Sequence, residues 1–235
     1  MCGRFTLHHG TEELTERFAV EQSLLDLKPR YNIAPSQPVA AVIQRESRVL
    51  AELQWGLVPS WVRDPAESSR MINARAESAA TRPAFRNAFA RGRCLIPASG
   101  WFEWRRRGRQ RIPMLLRRRG GEPLALAGLY ERWKRSDDAV LRTCAILTTE
   151  PDEIAGSVHD RMPAVLTAEA CEAWLDRGIE DPERLSRLLR PYPLGDLVAH
   201  PVSDRVNRPD EDDPALLEEV ELPPPEDHGQ LALGL

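Results

Sequence analysis

The stretch "RCLIPASGWFEW" (residues 93–104) decides how this chain folds. Cys94, Leu95 and Ile96 make an apolar run that ends at Pro97. Ser99 and Gly100 interrupt it, and Trp101, Phe102 and Trp104 follow with one acid, Glu103, among them. Apolar and aromatic segments on either side of Ser-Gly read as strand, turn, strand. The pattern recurs outward in both directions. "VAAVIQ", "RVLAELQW", "IPMLL", "LALAGLYE" and "VLRTCAILTT" have the length and apolar bias of strands, and "HDRMPAVL" begins as a short one. Helical patterns are fewer. "TEELTERFAV" has Thr11 as its expected cap, with Leu14 and Phe18 on one face. "TAEACEAWLDRG" has a cap at Thr167 and a terminal Gly178, and "DPERLSRLLR" is a third. "YNIAPSQP" (31–38) and "WGLVPSW" (55–61) read as ordered loops, and "DPAESS" (64–69) as a flexible excursion. Many strands without regular βαβ alternation predict an α+β domain. Its sheet is expected to be mostly antiparallel and barrel-like, with a few flanking helices.

The totals narrow the function classes. No apolar run reaches the roughly 18 residues of a membrane span, and no basic-then-apolar leader opens the chain. A cytoplasmic protein is expected. Cys2, Cys94, Cys144 and Cys171 show no CxxC spacing, so no zinc site, and no metal or cofactor, is predicted. The net charge of -4 is uneven. Residues 209–235 hold nine acids and no Lys or Arg, which leaves 32 basic and 27 acidic groups, a net of +5, in residues 1–208. A basic body suits a phosphate-bearing partner and equally a solvated surface. The expected division is a folded domain over residues 1–208 and an acidic, Pro-rich flexible tail over residues 209–235.

Eight arginines crowd residues 105–119, with Gly108 placed for a hairpin turn. Such a hairpin can lie along a nucleic-acid backbone or can be a charged edge that discourages sheet-to-sheet association.

The chain opens "MCGRFTLHHG". A small residue behind the initiator methionine favours removal of Met1, and Cys2 then becomes the terminus. An N-terminal cysteine carries a thiol and a free amine on adjacent carbons. Its amine has an ordinary pKa of about 7.7–8.0, so a useful fraction is nucleophilic at neutral pH. Such an amine attacks an aldehyde to give a Schiff base, and the thiol can close a five-membered thiazolidine ring on the imine carbon.

"MCGRF", "YNIAPSQ", "WGLVPSW", "MINARAES", "RCLIPASGWFEW" and "HDRMP", in that order, resemble the SRAP (SOS response-associated peptidase) family from residue 1 to about residue 208. The resemblance implies an N-terminal cysteine that bonds covalently to abasic sites in single-stranded DNA during replication and SOS repair. By motif, Cys2 matches the nucleophile. Asn73 matches the polar residue that holds the terminal cysteine and the sugar, Glu103 the active-site carboxylate, and His159 the active-site histidine. Arg4, Arg75 and Arg161 resemble phosphate-binding arginines, and Trp61 an aromatic that stacks on a base beside the lesion. Val62 stands where several members carry a second aromatic. Glu77, Thr148 and Thr149 are expected to support the site from behind. The resemblance implies a monomer acting on single-stranded DNA near the nucleoid. The family name leaves a cysteine-dependent peptidase, including self-removal of Met1, as the alternative: Cys2, His159 and Glu103 can form a nucleophile, base and orienter.

The last six residues, "QLALGL", resemble the hexapeptides that dock repair proteins on the bacterial β sliding clamp. Gln230 would be the polar anchor, and Leu231, Leu233 and Leu235 would fill an apolar groove. A frayed apolar terminus carries the same residues.

Overall fold

The computed structural model describes residues 2–63, 65, 71–134 and 139–222. Most of the 64–69 excursion, and the whole 230–235 peptide with Gln230, Leu231, Leu233 and Leu235, lie outside the described residues.

Among the described residues fourteen strands carry the fold: β1 (Phe5–Leu7), β2 (Gln22–Ser23), β3 (Arg30–Ile33), β4 (Pro38–Gln44), β5 (Arg48–Trp55), β6 (Asn73–Arg75), β7 (Arg93–Ala98), β8 (Gly100–Arg107), β9 (Gln110–Arg118), β10 (Leu124–Lys134), β11 (Val140–Thr149), β12 (Met162–Pro163), β13 (Val165–Leu166) and β14 (Leu197–Pro201). Five of them close a barrel. β11 pairs β10, β10 pairs β7, β7 pairs β4 and β4 pairs β5, all antiparallel. β5 returns to β11 in parallel, with Thr143 opposite Gln54 and Cys144 opposite Trp55. The expectation of an α+β, largely antiparallel barrel therefore holds, with one parallel seam. Closure removes the exposed edges that such strands would otherwise present. A second sheet, ordered β14-β9-β8-β1-β3, packs beside it.

"RCLIPASGWFEW" does not form a hairpin. β7 lies in the barrel and β8 in the second sheet, so the chain changes sheets at Ser99. The Ser99 N–H donates to the Thr6 carbonyl at 2.7 Å, and its hydroxyl contacts His9 Nδ1 at 2.6 Å. Gly100 is required next: a Cβ there would sit 2.7 Å from the Leu116 carbonyl oxygen.

The local differences have physical causes. The first helix, Thr11–Arg17, starts after Gly10, and the Thr11 hydroxyl accepts from Leu27 N–H instead of capping. Leu14 and Phe18 are buried as expected. Thr167 does cap the helix Ala168–Leu175, but the helix stops before Gly178 because Asp176 turns extended. Tyr31, Asn32 and Ile33, expected in a loop, are strand.

Residues 209–222 are also not free of the body. Asp212 Oδ1 accepts from Tyr31 N–H and, at 2.9 Å, from Asn32 N–H, while Asn32 Nδ2 donates to the Glu211 carbonyl at 2.8 Å. Leu216 is fully buried. The acids act here as backbone acceptors, a use that composition does not reveal. No helix among the described residues is long and apolar enough to cross a membrane.

Candidate active site

β1 delivers the chain's start to the site. Phe5 lies opposite Trp101 on β8, and Phe102 N–H donates to the Arg4 carbonyl at 2.9 Å. Continuing this antiparallel register toward the terminus puts Gly3 opposite Glu103, and the neighbouring Cys2 thiol lies within reach of the Glu103 charge. Cys2 is 0% exposed. Asn73 Nδ2 donates to its carbonyl oxygen at 2.7 Å. Asn73 is held firmly: β6 pairs in parallel with β11, Asn73 against Ile146, and Trp55 Nε1 ties the preceding carbonyl at 2.8 Å. The Asn73 Oδ1 is buried and has no partner among the described residues. An unmet buried acceptor carries a desolvation cost that a bound donor relieves.

Glu103 is 3% exposed. It is enclosed because both faces of β8 are covered. Trp101 belongs to the main core, while Phe102 packs in a smaller cluster with Leu115, Val202 and Val206. Burial pushes the Glu103 carboxyl above its ordinary range, and the cationic chain terminus and His159 pull it partly back. Burial also pushes the Cys2 thiol well above the ordinary thiol range, with the Glu103 charge adding to the effect. A thiol so placed rests protonated.

His159 Nδ1 lies 3.1 Å from the Arg161 backbone N and 2.8 Å from Asp160 Oδ1. The two contacts use Nδ1 in opposite senses. Accepting from Arg161 N–H requires a bare Nδ1, with the hydrogen on Nε2; donating to Asp160 requires a hydrogen on Nδ1. An imidazole with both options is suited to moving protons. Glu103, His159, Asp160, Trp104, Arg106 and Arg111 line a cavity of about 550 Å³. A second cleft of about 390 Å³ includes Trp61, Asn73, Arg82 and Phe85. Glu103 lines the first and Asn73 the second.

Trp61 is 65% exposed, and its loop is pinned by Trp133 Nε1 donating to the Val62 carbonyl at 2.7 Å. Of the three arginines expected at phosphates, only Arg75 is exposed. Arg4 is buried, with Nη1 donating to Asn32 Oδ1 at 2.8 Å and to the Val206 carbonyl at 2.7 Å. Arg161 is bidentate to Glu77 at 2.7 and 3.0 Å and also donates to the Thr148 carbonyl. That pairing holds the Glu77 carboxyl below its ordinary range. Thr148 and Thr149 are buried behind it. Arg4 and Arg161 thus brace the loops that carry the site. Sequence reasoning did not assign Arg106, Arg111, Arg82 or Phe85 to the site; the arginine-rich run was the available signal for the first two.

Known proteins resemble this chain over nearly its whole length. The profile of the SOS response associated peptidase (SRAP) family matches residues 1–209. The abasic site processing protein YoqW of Bacillus subtilis is 41% identical, over 93% of this chain and 99% of its own. The abasic site processing protein YedK of Escherichia coli is 33% identical, over 78% of this chain and 83% of its own. A solved structure from Bacteroides thetaiotaomicron superposes with a TM-score of 0.85 at 24% identity, covering 94% of this chain and all of that one, and so shares the fold. Matched from residue 1 to residue 209, with relatives above 30% identity over most of both lengths, the chain belongs to the SOS response associated peptidase (SRAP) family.

Proposed function

We propose that this protein processes abasic sites by bonding to them covalently, with Cys2 as the reacting residue once Met1 is removed. The ring-opened abasic sugar in single-stranded DNA presents an aldehyde. The Cys2 amine adds to that carbon and water leaves, giving an imine. The thiol then adds across the C=N bond, sulfur to carbon and hydrogen to nitrogen, and a thiazolidine closes. Glu103, held toward its protonated form, supplies a proton to the departing oxygen and recovers one from the amine. His159 protonates the ring oxygen of the sugar as it opens. Asn73 fixes the Cys2 carbonyl so that amine and thiol face the same carbon.

The observation that carries this reading is Cys2 itself: buried, backbone-anchored by Asn73 and set beside Glu103. A protonated resting thiol favours attack by the amine first. The peptidase alternative would need His159 or Glu103 to take that proton before the sulfur attacks. The bond shields the site from strand scission in the cytoplasm, near replicating DNA. The 230–235 peptide would tether the domain to the β sliding clamp, and deleting it should then abolish clamp binding. The central test is a denaturing gel. Met1-free protein, checked by mass, is mixed with a single-stranded oligonucleotide carrying one abasic site. A shifted band that requires both the abasic site and Cys2 supports crosslinking. Its absence with fully processed protein refutes it.

A further inference from the structure

The arginine run divides in two. Arg118 is paired with Asp196 at 2.7 Å and faces Glu122, close to where β9 meets β14. The other half lies on the part of the β8–β9 hairpin that projects past its neighbours. β1 hydrogen-bonds β8 only as far as Phe102, and the end of β14 with Val202 reaches β9 no farther than Pro113. Gly108, at φ +62, turns the chain at the tip. On this free portion Arg106 stands directly opposite Arg111. Two like charges facing across strands repel, and neither has an ion-pair partner among the described residues. Both arginines line the same cavity as Glu103 and His159. A charged edge that merely prevents aggregation needs no such cavity. A pair of unneutralised guanidinium groups beside the reacting residues suits a diester phosphate.

We propose that Arg106 and Arg111 form a phosphate clamp for the DNA strand on one flank of the lesion, opposite the flank served by Trp61. The strand runs from the Trp61 cleft, over Cys2 and Asn73, into the Arg106–Arg111 cavity. The aromatic side takes bases, and the arginine side takes backbone. This assignment rests on the crosslinking reading for its register, though not for its electrostatics.

The test compares wild type with an Arg106→Gln/Arg111→Gln double variant. An Arg45→Gln/Arg177→Gln variant is the charge-matched control, because those arginines share a cleft by the β4–β5 turn, at the far end of the barrel. Binding of an undamaged single-stranded oligonucleotide is measured against salt. Each lost phosphate contact should flatten the log–log slope by about 0.7, so the double variant should lose about 1.4 and the control nothing. Crosslinking of an abasic oligonucleotide at low salt should slow about tenfold in the double variant. Neutral methylphosphonate linkages on one flank should weaken wild-type binding and leave the double variant indifferent. An unchanged slope, or equal loss in the control, overturns the clamp. If wild type binds with the expected slope but forms no adduct, the crosslinking reading fails and the clamp stands.

Discussion

Asn73 and Cys2 are joined across 71 residues of sequence by one hydrogen bond of 2.7 Å, side-chain amide to backbone carbonyl. Because the acceptor is the carbonyl of Cys2, the bond sets the direction in which its amine and thiol project. Asn73→Ala should therefore slow adduct formation by roughly 10²-fold, the cost of an approximately 1 Å misplacement. The melting temperature should stay within a few degrees of wild type. Single-turnover crosslinking and a thermal melt measure the two; equal loss in both would make Asn73 a merely structural residue.

Glu103 gives a pH signature. Burial raises its carboxyl above the ordinary value of 4.5, so the folded state keeps a proton that the unfolded chain has lost. Stability contributed this way is present below the ordinary value and is lost as pH rises through the folded value. Glu103→Gln does not titrate. Its melting temperature relative to wild type should climb between pH 4 and pH 8, while crosslinking falls by about 10²-fold. A pH-independent difference would contradict the assignment.

Trp61 is exposed and bears no core load. Trp61→Ala should leave the melt unchanged and weaken single-strand binding by about 1–3 kcal/mol, the worth of one stacked base. Fluorescence anisotropy with a labelled oligonucleotide reads this directly.

Arg4 should behave in the opposite way. Its two charge-assisted hydrogen bonds join β1 to Asn32 and to the turn at Val206. Arg4→Ala should cost ~3 kcal/mol in urea unfolding. A double-mutant cycle with Asn32→Ala should show strong coupling, since each leaves the other unmet.

The acidic segment is a structural claim of its own. A chain ending at residue 208 loses buried Leu216 and the Asp212 contacts to β3. It should unfold at a lower temperature, with at least the ~1.5–3 kcal/mol of one buried leucine missing. Unchanged stability would mean that the segment is only draped on the surface.

What the sequence disclosed was local. β5 and β11 were readable to the residue, because their apolar runs end abruptly at charged or turn positions. The change of sheet at Ser99 was not, since partner choice belongs to distant strands. The covering of both faces of β8 was hidden for the same reason: Val202 and Val206, a hundred residues away, pack on Phe102, which leaves Trp101 and Glu103 to the other, also buried, face. Cys2, Asn73, Glu103 and His159 could be named from motifs. That Arg161 is occupied by Glu77, and Arg4 by Asn32, depends on geometry that no arginine announces in its sequence.

The complete burial of Cys2 also imposes a timetable on synthesis. On the crosslinking proposal Cys2 has to lose its methionine, and the residue ends fully buried. Its partner β8, the Asn73 strand and the supporting β11 all emerge from the ribosome later. On that proposal the processing step therefore falls to the nascent chain, before folding closes over the new terminus.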